Sequence, residues 1–195
     1  MDYVIATNNQ HKLLEIRAIL EKDSRRFLSM KEANIATDPE ENGTTFEENA
    51  LIKARAACQA AGLPAMADDS GICVDALNGE PGIRSARYCE GSDQDRTRFL
   101  LKKLEGIAKE RRTGRFVSVI ACVYPDGTEF TVRGECEGVI AFEMAGGGGF
   151  GYDPVFYVPE EGCTFAEMPQ ERKNQISHRA NALRLMKAEL EVRGL

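Results

Sequence analysis

An α/β fold is what this sequence predicts, on three observations. Short apolar runs alternate with longer amphipathic runs through the first hundred residues. A strongly β-like pair of segments, Phe116 to Tyr124 and Thr128 to Ile140, comes next. A helix-periodic segment closes the chain. The 195 residues fit one domain with room for two lobes, enough to bury a sizeable core. With 43% hydrophobic and 29% charged residues, the composition is that of a soluble globular protein. No apolar run approaches the ~20 residues that span a bilayer, and no secretory signal precedes the first strand-like run. The net charge of −6 argues against nucleic acid as a partner. The six cysteines include no C-x-x-C pair, so they read as reduced thiols in a cytosol.

In chain order, Tyr3 to Ala6 is a short buried strand. The polar turn Thr7-Asn8-Asn9-Gln10-His11-Lys12 leads into a helix from near Gln10 to about Lys22. A turn between strand and helix puts backbone N–H groups at a helix N-terminus, where anions bind. Lys12 opposes the helix dipole there, which suits a spot visited by an anion. Phe27 to Met30 is a second strand. Thr44 or Thr45 caps the next helix, with Glu47 or Glu48 three residues on, and that helix ends at Gly62 before Pro64. Asn49 and Lys53, four apart, share one of its faces. The apolar run from Leu63 to Ala67 is read as a strand that stops on Asp68-Asp69, and Gly71 to Leu77 as a separate strand. Ile83 to Tyr88 is irregular by pattern. Asp93-Gln94-Asp95 opens a helix with Phe99, Leu100, Leu104 and Ile107 on one face. Arg111, Arg112 and Arg115 read as a solvated loop. The β-like pair makes an antiparallel hairpin across Pro125-Asp126-Gly127, and a terminal helix runs from Asn174 onward.

Four stretches carry chemistry. Adjacent carboxylates followed by Ser70 and Gly71 offer oxygen ligands to a hard cation such as Mg²⁺, which takes one or two carboxylates plus substrate phosphates. Thr7 to Lys12 is the anion turn. The run Gly146-Gly147-Gly148-Gly149-Phe150-Gly151-Tyr152-Asp153-Pro154 allows close backbone approach and offers an aromatic to a flat base. Arg172 to Arg179 is dense in donors. A nucleoside triphosphate with Mg²⁺ would use all four. The chain has no G-x-x-x-x-G-K-[ST] loop, no kinase signature set and no evident Ser-His-Asp ordering.

The chain resembles the inosine triphosphate pyrophosphatase family over nearly its whole length. The resemblance rests on Ala6 to Lys12, Glu40 to Gly43, Thr45-Phe46-Glu47-Glu48-Asn49-Ala50 with Lys53, Ala67-Asp68-Asp69-Ser70-Gly71, Pro81 to Tyr88, Gly149 to Pro154 and Ser177-His178-Arg179. Each motif alone is weak, but their order and spacing are specific. The first departs from the commonest family form, which has glycine where Asn8 and His11 stand; asparagine tolerates the left-handed backbone that such a glycine serves.

The resemblance implies a long mixed central sheet with flanking helices, in two lobes around an active-site cleft. It also implies a homodimer, Mg²⁺ dependence, and hydrolysis of noncanonical purine nucleoside triphosphates (dITP, ITP, XTP) to monophosphate and pyrophosphate. Asp69 matches the proton acceptor and a metal ligand, with Asp68 and either Glu40 or Glu41 completing the metal set. Thr7, Asn8, Asn9, Gln10, His11, Lys12, Ser70, Phe150, Gly151, Tyr152, Asp153, Lys173, His178 and Arg179 match substrate positions. In the mechanism that follows, Asp69 deprotonates a water that attacks the α-phosphorus. Lys12 and Lys53 clamp phosphate oxygens, Phe150 stacks on the purine, and donors from Arg179, His178 or Lys173 meet its 6-oxo group. The alternatives are a pyrophosphatase for other modified nucleotides on a related fold, or a module that binds nucleotides without turnover.

Overall fold

The structure is a computed structural model that describes residues 1–21 and 25–194. Seven strands form one mixed sheet flanked by helices. The strands are β1 (Asp2–Ile5), β2 (Arg26–Ser29), β3 (Ala65–Val74), β4 (Thr113–Val123), β5 (Glu129–Ile140), β6 (Phe156–Val158) and β7 (Cys163–Thr164), in the order β2-β1-β3-β4-β5-β6-β7. The helices are α1 (Gln10–Leu20), α2 (Phe46–Ala61), α3 (Asp93–Lys103), α4 (Gln170–Ile176) and α5 (His178–Val192). The expected end of α1 at Lys22 lies outside the described residues. β1 runs parallel to β2 and β3, while β6 is antiparallel to β5 and β7. The hairpin of β4 and β5 forms as read: the Tyr124 N–H donates to the Thr128 carbonyl at 2.9 Å.

The chain divides into two compact units. The first holds Met1–Asp69, Ser118–Gly134 and the chain from Arg179 on; the second holds Ser70–Val117 and Glu135–His178. In the first, α1 buries Leu13, Ile16 and Leu20, and α5 buries Leu183, Met186 and Leu190. Both pack with Tyr3, Phe27 and Ile120, and each fully buried large apolar side chain there contributes about 1.5–3 kcal/mol. Tyr3 stacks on Phe27 with ring centroids 5.5 Å apart, and its hydroxyl meets that of Tyr124 at 2.9 Å, which satisfies both buried oxygens. Thr45 caps α2 by accepting the Glu48 N–H, and Glu48 reaches back to the N–H and hydroxyl of Thr44. Gly62 ends α2 in the left-handed conformation at φ 65°.

The second unit is centred on Phe116, Phe156 and Phe165, with Leu100, Leu104 and Val155 around them. Arg112, read from sequence as solvated, is buried there. Its guanidinium donates to the carbonyls of Leu104, Ile140 and Ala141 at 2.8–2.9 Å, so it closes backbone acceptors that the loop leaves over. Arg115 pairs with Glu137 and Asp75.

Further expectations are corrected. β3 does not stop on Asp68-Asp69: it is one strand of 10 residues that runs through them. Asp75–Leu77 and Gly82–Arg87 are 3-10 turns, not strand end and irregular coil. The terminal helix is broken in two at Ser177, whose ψ of 158° is extended.

Candidate active site

β3 places Asp68 and Asp69 on its opposite faces, and the two carboxylates meet different surroundings. Lys12 (2.5 Å) and Arg179 Nη2 (3.3 Å) reach one oxygen of Asp68. The hydroxyl of Ser118 (2.6 Å) and Arg179 Nε (3.2 Å) reach the other. Arg179 also donates to Glu15 at 2.5 Å, and all of these side chains belong to the first unit. Two cations and two carboxylates balance there. Burial alone would raise the Asp68 carboxyl, but Arg179 and Lys12 overcome it and hold the group well below its ordinary value. Ser118 and Glu15 escaped the sequence reading: one hides in a β-like run, the other on an amphipathic helix.

Asp69 is set differently. Lys53 Nζ lies 3.1 Å from one Asp69 oxygen, 3.1 Å from the Asp68 carbonyl and 3.1 Å from Glu41 Oε2. Within this trio, two carboxylates face one ammonium. The second oxygen of Asp69 is buried with no hydrogen-bond partner. Burial pushes the Asp69 carboxyl up, against the pull of Lys53 and Lys12. Burial also works against the charge of Lys53, but Asp69 and Glu41 outweigh it and raise its pKa. The Glu40 side chain is exposed, whereas Glu41 turns toward Lys53.

The Thr7 to Lys12 turn is held from within. The Thr7 hydroxyl accepts the Asn9 N–H at 3.1 Å, and Asn9 Oδ1 caps α1 by accepting from the N–H groups of His11 (2.9 Å) and Lys12 (3.2 Å). Three amides of the turn expected to greet an anion, those of Asn9, His11 and Lys12, are therefore already satisfied. Asn8 is not among the residues with positive φ, so it needs no left-handed backbone. His11 sits on the exposed side of the first helical turn, where glycine is not required. Two open cavities flank the turn. One of about 550 Å³ is lined by Asn8, Lys31, Asn34 and Thr37 among others. The other, of about 660 Å³, includes Thr7, Asn8, Gln10 and Arg17.

The remaining predicted residues lie in the second unit. The glycine run is no linker: the Gly148 N–H donates to the Ala166 carbonyl, and a Cβ on Gly146 would strike Ala166. Gly149, at φ +71°, lies so close to Asp153 that a Cβ would sit 2.0 Å from its Oδ2. That same oxygen accepts the Phe150 N–H at 2.8 Å and the Lys173 ammonium at 2.6 Å. Lys173 sits 5.0 Å from the Phe150 ring centroid and fixes it by a cation–π contact. Asp93 accepts the Gly151 N–H at 2.9 Å, and the Tyr152 hydroxyl donates to the Ser85 carbonyl at 2.8 Å. The His178 ring is buried and lies parallel on Phe116 at 4.6 Å. Ser70, half-buried, begins the second unit directly after Asp69. Phe150, Asp153, Lys173 and His178 thus belong to one unit, and Lys12, Lys53, Asp68, Asp69 and Arg179 to the other.

Known proteins match this chain over nearly its whole length. The Ham1 family model matches residues 3–189. A dITP/XTP pyrophosphatase from Symbiobacterium thermophilum is 54% identical over 180 residues, 92% of this chain and 90% of the relative. One from Geobacter sulfurreducens is 48% identical over 194 residues, 98% of each chain. The structure of a HAM1 protein from Coxiella burnetii matches with a TM-score of 0.90 at 40% identity, covering 98% of both chains.

Proposed function

The chain belongs to the Ham1 family, and we propose that it hydrolyses noncanonical purine nucleoside triphosphates (dITP, ITP and XTP) to the monophosphate and pyrophosphate, a reading supported by relatives named dITP/XTP pyrophosphatase. The observation that carries the mechanism is the unequal fate of the two neighbouring carboxylates. Asp68 is neutralised by its own cations; Asp69 keeps a buried oxygen without a partner and a raised pKa. A base that is buried, ionisable and incompletely satisfied is suited to take a proton from a water attacking the α-phosphorus.

The donor set fits a hard divalent cation. Asp69 and Glu41, each 3.1 Å from the Lys53 ammonium, are a pair of carboxylates of the kind Mg²⁺ takes before phosphate and water complete its shell. Asp69 and Glu41, which already converge on one ammonium, would hold it; the oxygens of Asp68 are committed elsewhere. When bound, Mg²⁺ supplies charge neutralisation at the phosphates. Lys12 carries three donors and gives one to Asp68, so it keeps N–H groups for phosphate oxygens; the three donors of Lys53 already meet Asp69, Glu41 and the Asp68 carbonyl, and it serves a phosphate by its charge or by exchanging one of them. Phe150, steadied by Lys173, offers its face to the purine. His178 and Lys173 are the donors assigned to the 6-oxo group, ahead of Arg179, whose guanidinium supports Asp68 and Glu15.

The same reading has the enzyme working as a homodimer in the cytoplasm. No helix among the described residues is long and apolar enough to cross a membrane, and the six cysteines form no disulfide among them, which suits a reducing compartment. The decisive assay is pyrophosphate release with Mg²⁺ from ITP, dITP, XTP, ATP and GTP in parallel, with sedimentation for the oligomeric state. Turnover of the first three alone is expected; equal turnover of all five, or of none, overturns the reading.

A further inference from the structure

Asn49 is fully buried in the first turn of α2, and the reaction as described gives it no role. Its Oδ1 accepts the Gly43 N–H at 2.9 Å. That bond fixes the orientation of the amide, because only the oxygen can accept, and it leaves Nδ2 buried with no hydrogen-bond partner. A side chain needed only for packing would be apolar and would not bury an unsatisfied donor. Gly43 lies so tightly on α2 that a Cβ would come 2.6 Å from Asn49 Oδ1 and 2.7 Å from Glu48 Cβ. Two residues earlier stands Glu41, whose carboxylate is 3.1 Å from Lys53, one helical turn beyond Asn49 on the same face. The Glu40–Gly43 segment is therefore held at two points by one face of α2: its backbone by Asn49, its carboxylate by Lys53. Lys53 in turn holds Asp69.

We infer that Asn49 is a positioning residue that fixes Glu41 beside Asp69 and thereby sets the affinity of the site for its divalent cation. The inference rests on the reading of Asp69 and Glu41 as the metal carboxylates. It acts through the Gly43 backbone, so Gly43 and Asn49 form one device.

Its test is Mn²⁺ binding, followed by electron paramagnetic resonance in the presence of an α,β-imido analogue of inosine triphosphate, which cannot turn over. Asn49→Ala is expected to weaken Mn²⁺ binding ten-fold or more. Gly43→Ala, whose Cβ would press on Asn49 Oδ1 and Glu48 Cβ and so lift the segment off α2 while Asn49 keeps its amide, is expected to do the same, and the double variant to be no worse than either alone. Thr45→Ala, which removes the cap of the same helix, should lower stability and leave Mn²⁺ affinity unchanged. Wild-type affinity in folded Asn49→Ala overturns the inference; if that variant does not fold, wild-type affinity in Gly43→Ala does so. A wild-type protein that binds no Mn²⁺ and turns over without metal overturns the underlying metal reading instead.

Discussion

At the residue scale, two adjacent aspartates are expected to respond in opposite ways to the same substitution. Asp69→Asn should lower turnover by about 10²–10⁴-fold, the usual contribution of a general base. It should not lower stability at neutral pH. Folding raises the pKa of Asp69, so above that pKa the ionised carboxylate works against the fold. Removing it should leave stability equal or higher at pH 7, and the gain should vanish below the unfolded pKa of about 3.9. Asp68→Asn is the reverse. Folding lowers that pKa, so the group stabilises the protein above its unfolded pKa and loses the effect as pH falls through the folded one. Its loss leaves two buried cations, Lys12 and Arg179, with Glu15 as their one remaining carboxylate in that cluster, and should cost about 3–5 kcal/mol at pH 7, and less in acid. Urea denaturation of both variants at pH 7 and pH 3 measures this; equal destabilisation by the two would contradict the division of roles.

At the scale of elements, Gly149 is the most exacting position of the aromatic loop. Gly149→Ala must place a side chain at φ +71°, at about 1–2 kcal/mol, and must also push Asp153 away from the Phe150 N–H and from Lys173. Lower stability and a several-fold rise in KM for ITP are expected. Gly147→Ala, which meets open space, should behave as wild type, and a KM unmoved by Gly149→Ala would detach this loop from the base. Elements of this size were legible in the sequence where their signals are local. The choice of Thr44 or Thr45 as cap and the Gly62 stop place α2 to within one residue at its start, and Pro125-Asp126-Gly127 places the hairpin. β3 was misread because an Asp-Asp pair is foreign to a buried strand unless cations meet it. Those cations come from Lys12, Lys53 and Arg179, which no local window contains. The break between α4 and α5 was missed although Ser177 is a residue type favoured before a helix start, because apolar periodicity continues across it. Arg112 was misjudged for the same reason as β3: its acceptors at Leu104, Ile140 and Ala141 are set by the fold.

For the whole molecule, the family resemblance made most candidate site residues legible, and physics alone had picked out Asp68-Asp69, the glycine-aromatic loop and the donor-rich segment. Sequence could not rank Glu40 against Glu41, since only the folded chain shows which of them turns to Lys53. Folding and ligand binding are linked, so a nucleotide that recruits the site should stabilise the protein. A non-hydrolysable inosine triphosphate with Mg²⁺ at 100 times its dissociation constant should add about 2.7 kcal/mol, and the adenosine analogue at the same concentration far less. Calorimetry that found equal shifts for both would place selectivity in the chemical step and not in binding.

The Asn9 cap has one more consequence. A helix start whose amides are already occupied by a neighbouring carboxamide is a poor trap for stray inorganic anions. Sulfate or orthophosphate gains little by displacing Asn9. Inhibition by orthophosphate is accordingly expected to be weak, and Asn9→Ala, which frees the two amides, is expected to strengthen it.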